Sequence, residues 1–497
     1  MVGRLGAYLF GVRDGAVGDR RVDRHPLVQK SPTEWHIEPR DGMRVPGIIL
    51  ATEELIQTMD KQVSQQLAQV ATLPGIVRAA YAMPDASGGY GFPKGGATAF
   101  DPEEGGVVAG GGAGFDVGWG ARTLRTGLTV AQLLPHREAL ADRLCATVLA
   151  GGGARLLRLT PRGMDAMLLG GARWAVAMGY GSTADLEWIE EQGCMAGADP
   201  GCVSELAKTR QRDEMGTLGA GNDYLGVQRV AQIYDPWVAK VLGIHLDDIK
   251  VSIHCGSRGL GRQIGADYGK PMATAASRHG IALSNRDLMC APLDSEVGRY
   301  DLGAMRASVN CALANRQILA HRVRQVFNRI FPEARLEVLY DVSYNTCRSE
   351  THVVDSRARA LYVHRKGASR ALGPGHPDLP PAWWEIGQPS LVGGAMNTAS
   401  YIMIGTSSGL EQAFGSSCHG RGPVQNPHGT IYPQRTLESQ DVLMRLGVLI
   451  RSPSQRGVMV AEKPDAHQDA GVVVEAAEQA GLARRVARLE PLICVKG

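Results

Sequence analysis

The residues best suited to chemistry form the segment SSCHGRG, residues 416–422. His419 follows two hydroxyls and a thiol and precedes a Gly-Arg-Gly sequence. Glycines allow a backbone to approach a phosphate closely, and an imidazole held there can attack phosphorus or bind a metal ion. On this segment alone, a structural glycine-rich loop that contains a histidine explains the sequence equally well.

Three further segments are rich in glycine and contain polar residues at which a ligand could bind. Residues 83–122 contain two glycine clusters, and Asp116 is the only carboxylate in the second, GGGAGFDVGWG. An isolated aspartate of this kind more often caps a turn than binds a metal. Residues 216–223 form the third cluster and end in Asn222 and Asp223. Because glycine weakens a strand, these clusters are expected to serve tight turns or a close approach of ligand.

Two other segments suggest sites for anions or metals. His254 ends a predicted strand and is followed by Cys-Gly-Ser-Arg-Gly, which suits a metal or a phosphate at a strand end, although a lone histidine there is more often structural. The run HRKGASR contains Arg365, Lys366 and Arg370, and its three cations around a short turn make it the best local candidate for binding phosphate. A solvated basic loop explains that run comparably well.

The composition limits the class of protein. The chain has 497 residues, of which 44% are hydrophobic and 21% charged, and this is ordinary for a globular protein. A net charge of +3 gives no overall basic field for nucleic acid, and 5% aromatic residues leave few stacking platforms for single strands. Nine cysteines without CxxC pairs argue against a disulfide framework. With no secretory leader and no long apolar run, we expect a cytoplasmic protein without a membrane span.

Hydrophobic periodicity predicts the elements that must position these residues. Helices are expected over residues 52–73, 129–150, 199–212 and 300–330, near 438–450 and over 474–488. Strands are expected at 35–40, 45–50, 249–253, 336–342 and 401–405. No linker or internal repeat is visible, so we predict one large domain over residues 1–497.

Taken in order, the polar and glycine-rich segments resemble the RtcB family of RNA ligases from about residue 40 to the C-terminus. The resemblance rests on MPDASGGYGFPKGG, GGGAGFDVGWGAR, DLEWIEEQG, GTLGAGNDYLG, IHCGSRGLG, ANRQ, YDVSYN, VHRKGASRA, GQPSLVGGAMNTASY, FGSSCHGRG and the terminal VKG. It implies an α+β fold, a single large domain in which mixed β-sheets and surrounding helices form a deep basic cleft.

The resemblance also implies a chemistry. RtcB ligases join an RNA 3′-phosphate or 2′,3′-cyclic phosphate to a 5′-hydroxyl in RNA repair or tRNA splicing, using GTP, two Mn²⁺ ions and a histidine–GMP intermediate. RNA ends, and an archease-like activator, are the implied partners. The implied site residues are the nucleophile His419; nucleotide-binding Asn222, Ser400, Gly420, Gly422 and Lys496; metal ligands Asp116 and His254; and phosphate-binding Arg365, Lys366 and Arg370.

This chain departs from the family pattern at the metal ligands. Trp119 stands where the family has a metal-bridging cysteine, and Asp223 and Tyr344 stand where it has histidines. Indole has no lone pair for a metal, so we expect one ion rather than two. Oxygen ligands from Asp223 and Tyr344 would favour Mn²⁺ or Mg²⁺. Cys347 could replace a lost ligand if its segment were helical.

Other departures concern the nucleotide and the histidine loop. Gly226 replaces the family's guanine-binding glutamate, so guanine selectivity should be relaxed. Ser87, Ala395 and Pro423 also differ from the pattern. Three functions remain open: an RNA ligase with a rebuilt metal site, a nucleotidyl-transfer enzyme that acts on phosphate ends without sealing them, and an inactive protein that binds RNA ends or nucleotides. The retained nucleophile favours retained chemistry.

Overall fold

The computed structural model describes residues 26–114, 116–149, 157–219, 223–394, 398–420, 447–452 and 469–497. The α-helices in this part of the chain are α1 Glu53–Thr58, α2 Gln62–Val70, α3 Gly110–Ala113, α4 Val130–Leu133, α5 Arg137–Val148, α6 Pro161–Ala177, α7 Glu205–Gln211, α8 Pro236–Val241, α9 Gly259–Arg278, α10 Glu296–Ile330, α11 Ser407–Ala413 and α12 Ala470–Gln479.

The described residues also form 19 strands, several of which follow one another directly along the chain. They are β1 Val28–Ser31, β2 Glu34–Ile37, β3 Gly47–Leu50, β4 Ile76–Ser87, β5 Lys94–Phe100, β6 Val107–Ala109, β7 Gly120–Thr129, β8 Tyr224–Ile233, β9 Asp248–Cys255, β10 Cys290–Pro292, β11 Glu337–Ser343, β12 Asn345–Val354, β13 Arg357–Lys366, β14 Ala368–Arg370, β15 Pro389–Val392, β16 Ser400–Gly405, β17 Ser416–Cys418, β18 Leu449–Arg451 and β19 Ala483–Lys496. The fold is therefore α+β, as predicted.

Two large sheets carry most of the strands. The seven-stranded sheet has the order β1-β2-β3-β4-β5-β13-β12, and the eight-stranded sheet has the order β11-β7-β9-β8-β19-β16-β15 with β18 beside β19. Most neighbours run antiparallel, whereas β3 pairs with β4 and β18 with β19 in parallel. The short pairs β10-β6 and β14-β17 complete the sheets of the described residues. The pair β14-β17 matters for function because His419 directly follows β17.

The long helix predicted at 300–330 is confirmed as α10, which has 35 residues and begins at its N-cap Ser295. It packs against α5, α6 and α9 and contacts β9. Its buried face contains polar side chains as well as apolar ones, among them Arg316, whose guanidinium donates to both carboxylate oxygens of Asp341. This buried ion pair fixes α10 to β11.

The structure differs from two of the predicted helices. The helix expected over 52–73 is split into α1 and α2, because Asp60 caps Gln62 and also accepts a hydrogen bond from Gly88 N. The helix expected over 474–488 ends with α12. Gly481 has a φ of +73°, and the following residues form β19, which pairs with β8 and β16. Long-range pairing therefore overrides the local helical pattern there.

The glycine cluster before residue 100 is partly strand, contrary to expectation. Gly95 and Gly96 lie inside β5, and a Cβ on Gly95 would lie 2.8 Å from Ala86 Cα. The close approach that requires glycine is therefore between two strands. The helix expected near 438–450 lies mostly outside the described residues, and its described end includes the strand β18. None of the helices in the described ranges is long and apolar enough to span a membrane.

Candidate functional site

One edge of the eight-stranded sheet brings together several of the residues singled out from the sequence. The strands there are antiparallel, so their ends and beginnings meet: Tyr224 pairs with His254, and Lys496 pairs with Tyr224. The residues at this edge are Trp119 before β7, Asp223 before β8, His254 in β9, Tyr344 after β11 and Lys496 at the end of β19. His419 reaches the same place from β17, with its ring centroid 5.2 Å from that of Tyr344.

Asp85 of β4 holds His419 in place. Its Oδ2 atom lies 2.8 Å from His419 Nδ1 and accepts hydrogen bonds from the backbone N–H groups of His419 and Gly420, each at 3.1 Å. An ionised carboxylate only accepts hydrogen bonds, so Nδ1 carries the hydrogen and Nε2 carries the lone pair. No described residue is hydrogen-bonded to Nε2. This arrangement orients an imidazole for nucleophilic attack through Nε2.

Aromatic side chains pack against the other side of the His419 ring. The Trp119 ring lies 5.9 Å from that of His419 and 5.3 Å from that of Tyr344, with edge-to-face geometry in both cases. His254 stacks on Tyr224 at 4.1 Å. Aromatic pairs at these distances contribute to packing beyond the area that they bury. The environment of His419 is therefore apolar on the side where the sequence placed metal ligands.

Both carboxylate oxygens of Asp223 accept hydrogen bonds. Its Oδ1 accepts from Trp119 Nε1 at 3.0 Å, and its Oδ2 accepts from Gly219 N at 3.0 Å and from Arg258 Nη1 at 3.1 Å. The thiol of Cys255 lies 3.3 Å from the same Oδ2. These donors saturate Oδ2, whereas Oδ1 keeps one lone pair beside Trp119, and the guanidinium already offsets the carboxylate charge.

The hydroxyl of Tyr344 is also engaged in a hydrogen bond. Its hydroxyl is buried and donates to Leu391 O at 2.9 Å, and burial raises its pKa well above the ordinary value. Cys347 lies in β12, beside His364, and so is not on a helix that could direct it to the site. The hydrogen bonds of Asp223 and Tyr344 compete with the ligand roles predicted for them, which stay predictions, and the helical segment that a role of Cys347 requires is not present.

Asp116 and His254 remain as the two retained ligand positions. His254 is buried, its Nε2 has no hydrogen-bond partner, and burial lowers its pKa to about 3, so its ring is neutral and could bind a metal. Asp116 lies 3.5 Å from Arg262, and burial raises its pKa although Arg262 opposes this. Within the described ranges no three His, Cys, Asp or Glu side chains are placed to hold a metal ion. The residues present thus do not fit a two-metal site.

Arg365 does not belong to a solvated basic loop. Its side chain is fully buried, and it donates to Glu350 Oε1 at 2.6 Å, to Glu350 Oε2 at 2.9 Å, to Ser416 Oγ at 2.8 Å and to Phe414 O at 2.6 Å. Burial alone would raise the pKa of Glu350, but Arg365 holds it far below the ordinary value. Arg365 therefore fixes β17, from which His419 emerges, and four of its five N–H groups donate within the fold.

Arg370 and Lys366 are buried as well. Arg370 Nε lies 3.3 Å from Glu190 Oε1, and Nη1 lies 3.5 Å from Glu191 Oε1, so this guanidinium is also committed to the protein. Lys366 donates to Tyr90 O at 2.7 Å and Phe92 O at 2.8 Å, and burial lowers its pKa to about 7. These three cations are buried, which contradicts the alternative of a solvated basic loop, and their role in binding phosphate stays a prediction.

Replacing Arg365 by methionine is expected to lower the free energy of unfolding by about 3–5 kcal/mol, because it leaves the Glu350 carboxylate buried without its partner. Denaturant unfolding measures this. The exposed Arg484→Met is the matched control and should cost about 1 kcal/mol or less, since Arg484 pairs with Asp235 at the surface. Similar losses for the two variants would contradict the assigned role of Arg365.

The expected nucleotide contacts are placed as follows. Ser400 Oγ accepts hydrogen bonds from Gln228 Nε2 at 3.0 Å and from Gly394 N at 3.1 Å. Lys496 is buried at the end of β19, and Gly420 donates to Asp85. Asn222 and Gly422 lie outside the described residues, as do Ala395 and Pro423.

Sequence reasoning missed Asp85 and the buried partner of Arg365. Asp85 is the only carboxylate in MPDASGGYGFPKGG, and that isolation was the available signal. Its contact to His419 spans 334 residues, so no local pattern reveals it. Glu350 lies in β12, where buried and exposed side chains alternate, and a charged residue in such a strand normally faces solvent.

Comparison with known proteins gives one consistent result. The family model described as "tRNA-splicing ligase RtcB" matches residues 66–497. The chain is 40% identical over 479 residues to the tRNA-splicing ligase RtcB of Thermococcus kodakarensis, covering 95% of this chain and 99% of that protein. It is 44% identical over 438 residues to the RNA-splicing ligase RtcB of Mycobacterium tuberculosis, covering 87% of this chain and 100% of that protein.

Proposed function

The chain belongs to the RtcB family of tRNA-splicing ligases, and on this premise we propose that it joins RNA ends. The substrates are an end with a 3′-phosphate or 2′,3′-cyclic phosphate and an end with a 5′-hydroxyl. The observation that carries the proposal is the bond between Asp85 and His419 Nδ1, which leaves the Nε2 lone pair for phosphorus. The proposal includes a cytoplasmic location and an archease-like activator.

In the first step, His419 Nε2 attacks the α-phosphorus of GTP. The N–P bond forms, the bond from the α-phosphorus to the bridging oxygen breaks, and pyrophosphate leaves. The imidazole gains positive charge as the N–P bond forms, and the Asp85 carboxylate stabilises that charge at Nδ1. Two glycines from other segments pack closely against His419. Gly393 N donates to His419 O at 3.0 Å, and a Cβ on Gly367 would lie 3.0 Å from His419 Cε1.

The later steps transfer the nucleotide and then release it. An oxygen of the RNA 3′-phosphate attacks the phosphorus of the histidine–GMP, which breaks the N–P bond and activates the RNA end. The 5′-hydroxyl then attacks the RNA 3′-phosphorus, a new phosphodiester forms and GMP leaves. A 2′,3′-cyclic phosphate must first be hydrolysed to the 3′-phosphate. GTP enters as its complex with a divalent ion, and that ion is part of the substrate. The side chains of the protein at this edge do not fit two bound ions.

Replacing His419 by alanine is expected to abolish labelling of the protein by α-labelled GTP, since the nucleophile is removed. The wild-type chain should retain label that is labile to acid and stable to alkali, which is characteristic of a phosphoramidate. The exposed His279→Ala is the matched control and should label normally. Label in the His419→Ala variant equal to that of the wild type would contradict the assignment of His419.

A second candidate function is supported by the hydrogen bonds that occupy Asp223. A protein that binds RNA ends or nucleotides without catalysis would tolerate the replacement of metal ligands by Trp119 and the Asp223–Arg258 pair. Absence of label with GTP and ATP, in Mn²⁺ or Mg²⁺, together with measurable RNA-end binding, would favour this function. Label without joining of the two RNA ends would favour nucleotidyl transfer without sealing.

A further inference from the structure

Gln228 connects three strands beside the proposed nucleotide site. It is buried in β8, and its amide is bonded at both ends: Ser252 Oγ of β9 donates to Oε1 at 2.9 Å, and Nε2 donates to Ser400 Oγ of β16 at 3.0 Å. Ser400 is one of the proposed nucleotide contacts. Each polar atom of the Gln228 amide can make one more hydrogen bond than these two interactions use.

The neighbouring position on the same face of β8 is Gly226. The three atoms nearest to a Cβ built there all belong to the side chain of Gln228, at 3.6 to 3.8 Å. Residues 226 and 228 lie two apart in a strand and so point to the same face. Gly226 pairs with Cys494, two residues before Lys496. The Gln228 amide is therefore the nearest hydrogen-bonding group to the side-chain position that Gly226 leaves empty.

We propose that Gln228 reads the purine base and that this reading accepts both guanine and adenine; the inference rests on the proposed function. Hydroxyl groups both donate and accept, so Ser252 and Ser400 can bond to either end of the amide. If the amide turns over, Ser400 Oγ donates to Oε1 and Ser252 Oγ accepts from Nε2, so both bonds are kept. The amide can thus present its donor and acceptor to a base in either order.

The chemistry of the two purine edges explains the consequence. Guanine presents the O6 acceptor beside the N1–H donor, whereas adenine presents the N6 donor beside the N1 acceptor. An amide that turns over complements each pair. A carboxylate offers two acceptors, so it fits the N1–H and N2–H groups of guanine and opposes the N1 lone pair of adenine. Selectivity between guanine and adenine therefore depends on whether residue 228 has an amide or a carboxylate side chain.

The test is equilibrium binding of GTP and of ATP to the full-length chain by calorimetry, with labelling of His419 as a second readout. The wild-type chain should bind the two nucleotides within about tenfold of each other. Gln228→Glu should raise the preference for GTP by at least about tenfold, since both serine hydroxyls can donate to the new carboxylate. Gly226→Glu should act in the same direction. Gln228→Met, which has a similar size, should weaken both nucleotides.

The outcomes separate the inference from the function on which it rests. A wild-type preference for GTP above about a hundredfold, with binding intact, would overturn the inference and leave the ligase proposal standing. Unchanged binding of both nucleotides to Gln228→Met would do the same. Failure of the wild-type chain to bind either nucleotide would overturn the proposed function, and the inference with it. Because the wild-type ratio is itself decisive, the test does not depend on the folding of any variant.

Discussion

Asp85→Asn is expected to slow formation of the histidine–nucleotide intermediate by about 10³- to 10⁴-fold, by comparison with catalytic histidines whose aspartate partner is changed to asparagine. Asparagine keeps the shape of the side chain and removes its charge. The imidazolium that develops as Nε2 bonds to phosphorus then loses the carboxylate that lies 2.8 Å from Nδ1. The amide can also turn its NH₂ toward the ring and favour the tautomer with hydrogen on Nε2, which cannot attack.

Single-turnover labelling with α-labelled GTP measures this effect directly. Asp355→Asn is the matched control, because Asp355 is exposed on the turn between β12 and β13 and has a φ of +49°, which asparagine tolerates. A thermal melt of each variant separates loss of chemistry from loss of fold. A labelling rate for Asp85→Asn within about tenfold of the wild type would show that the carboxylate does not orient the nucleophile.

The second large effect is expected in metal content. The wild-type chain should bind at most one Mn²⁺ ion, because Trp119 has no lone pair and Asp223 is already bonded to three donors. The triple variant Trp119→Cys, Asp223→His, Tyr344→His supplies a thiolate and two imidazoles next to His254, and should bind two. The added ligands should also raise labelling of His419, since bound ions stabilise charge on the phosphoryl oxygens.

Elemental analysis and titration of Mn²⁺ followed by electron paramagnetic resonance measure the stoichiometry without relying on activity. Trp119→Phe is the matched control: it removes the indole N–H that donates to Asp223 and adds no ligand, so its metal content should equal that of the wild type. Two ions at full occupancy in the wild-type chain would contradict the conclusion drawn from Trp119 and Asp223. Unchanged stoichiometry in the folded triple variant would show that other features exclude the second ion.

The sequence by itself determined the glycine-rich surroundings of His419, the proposed nucleophile, the order of the glycine loops and the presence of the long helix α10. These depend on local patterns. The segment SSCHGRG makes His419 a candidate, which the family resemblance then favours over a structural histidine, and α10 follows from apolar residues at helical spacing over many turns. The replaced ligand Trp119 was also readable, because the absence of a lone pair is a property of the side chain alone.

Only the tertiary structure decided what those residues contact. Asp85 meets His419 across 334 residues, and Arg365 turns inward to Glu350 although its sequence, a run of cations, resembles a solvated loop. The same holds for Asp223, which accepts hydrogen bonds from Trp119 and Arg258. A charged side chain is stable in the interior only when a specific partner offsets the cost of its desolvation, and residues far apart in the sequence supply that partner.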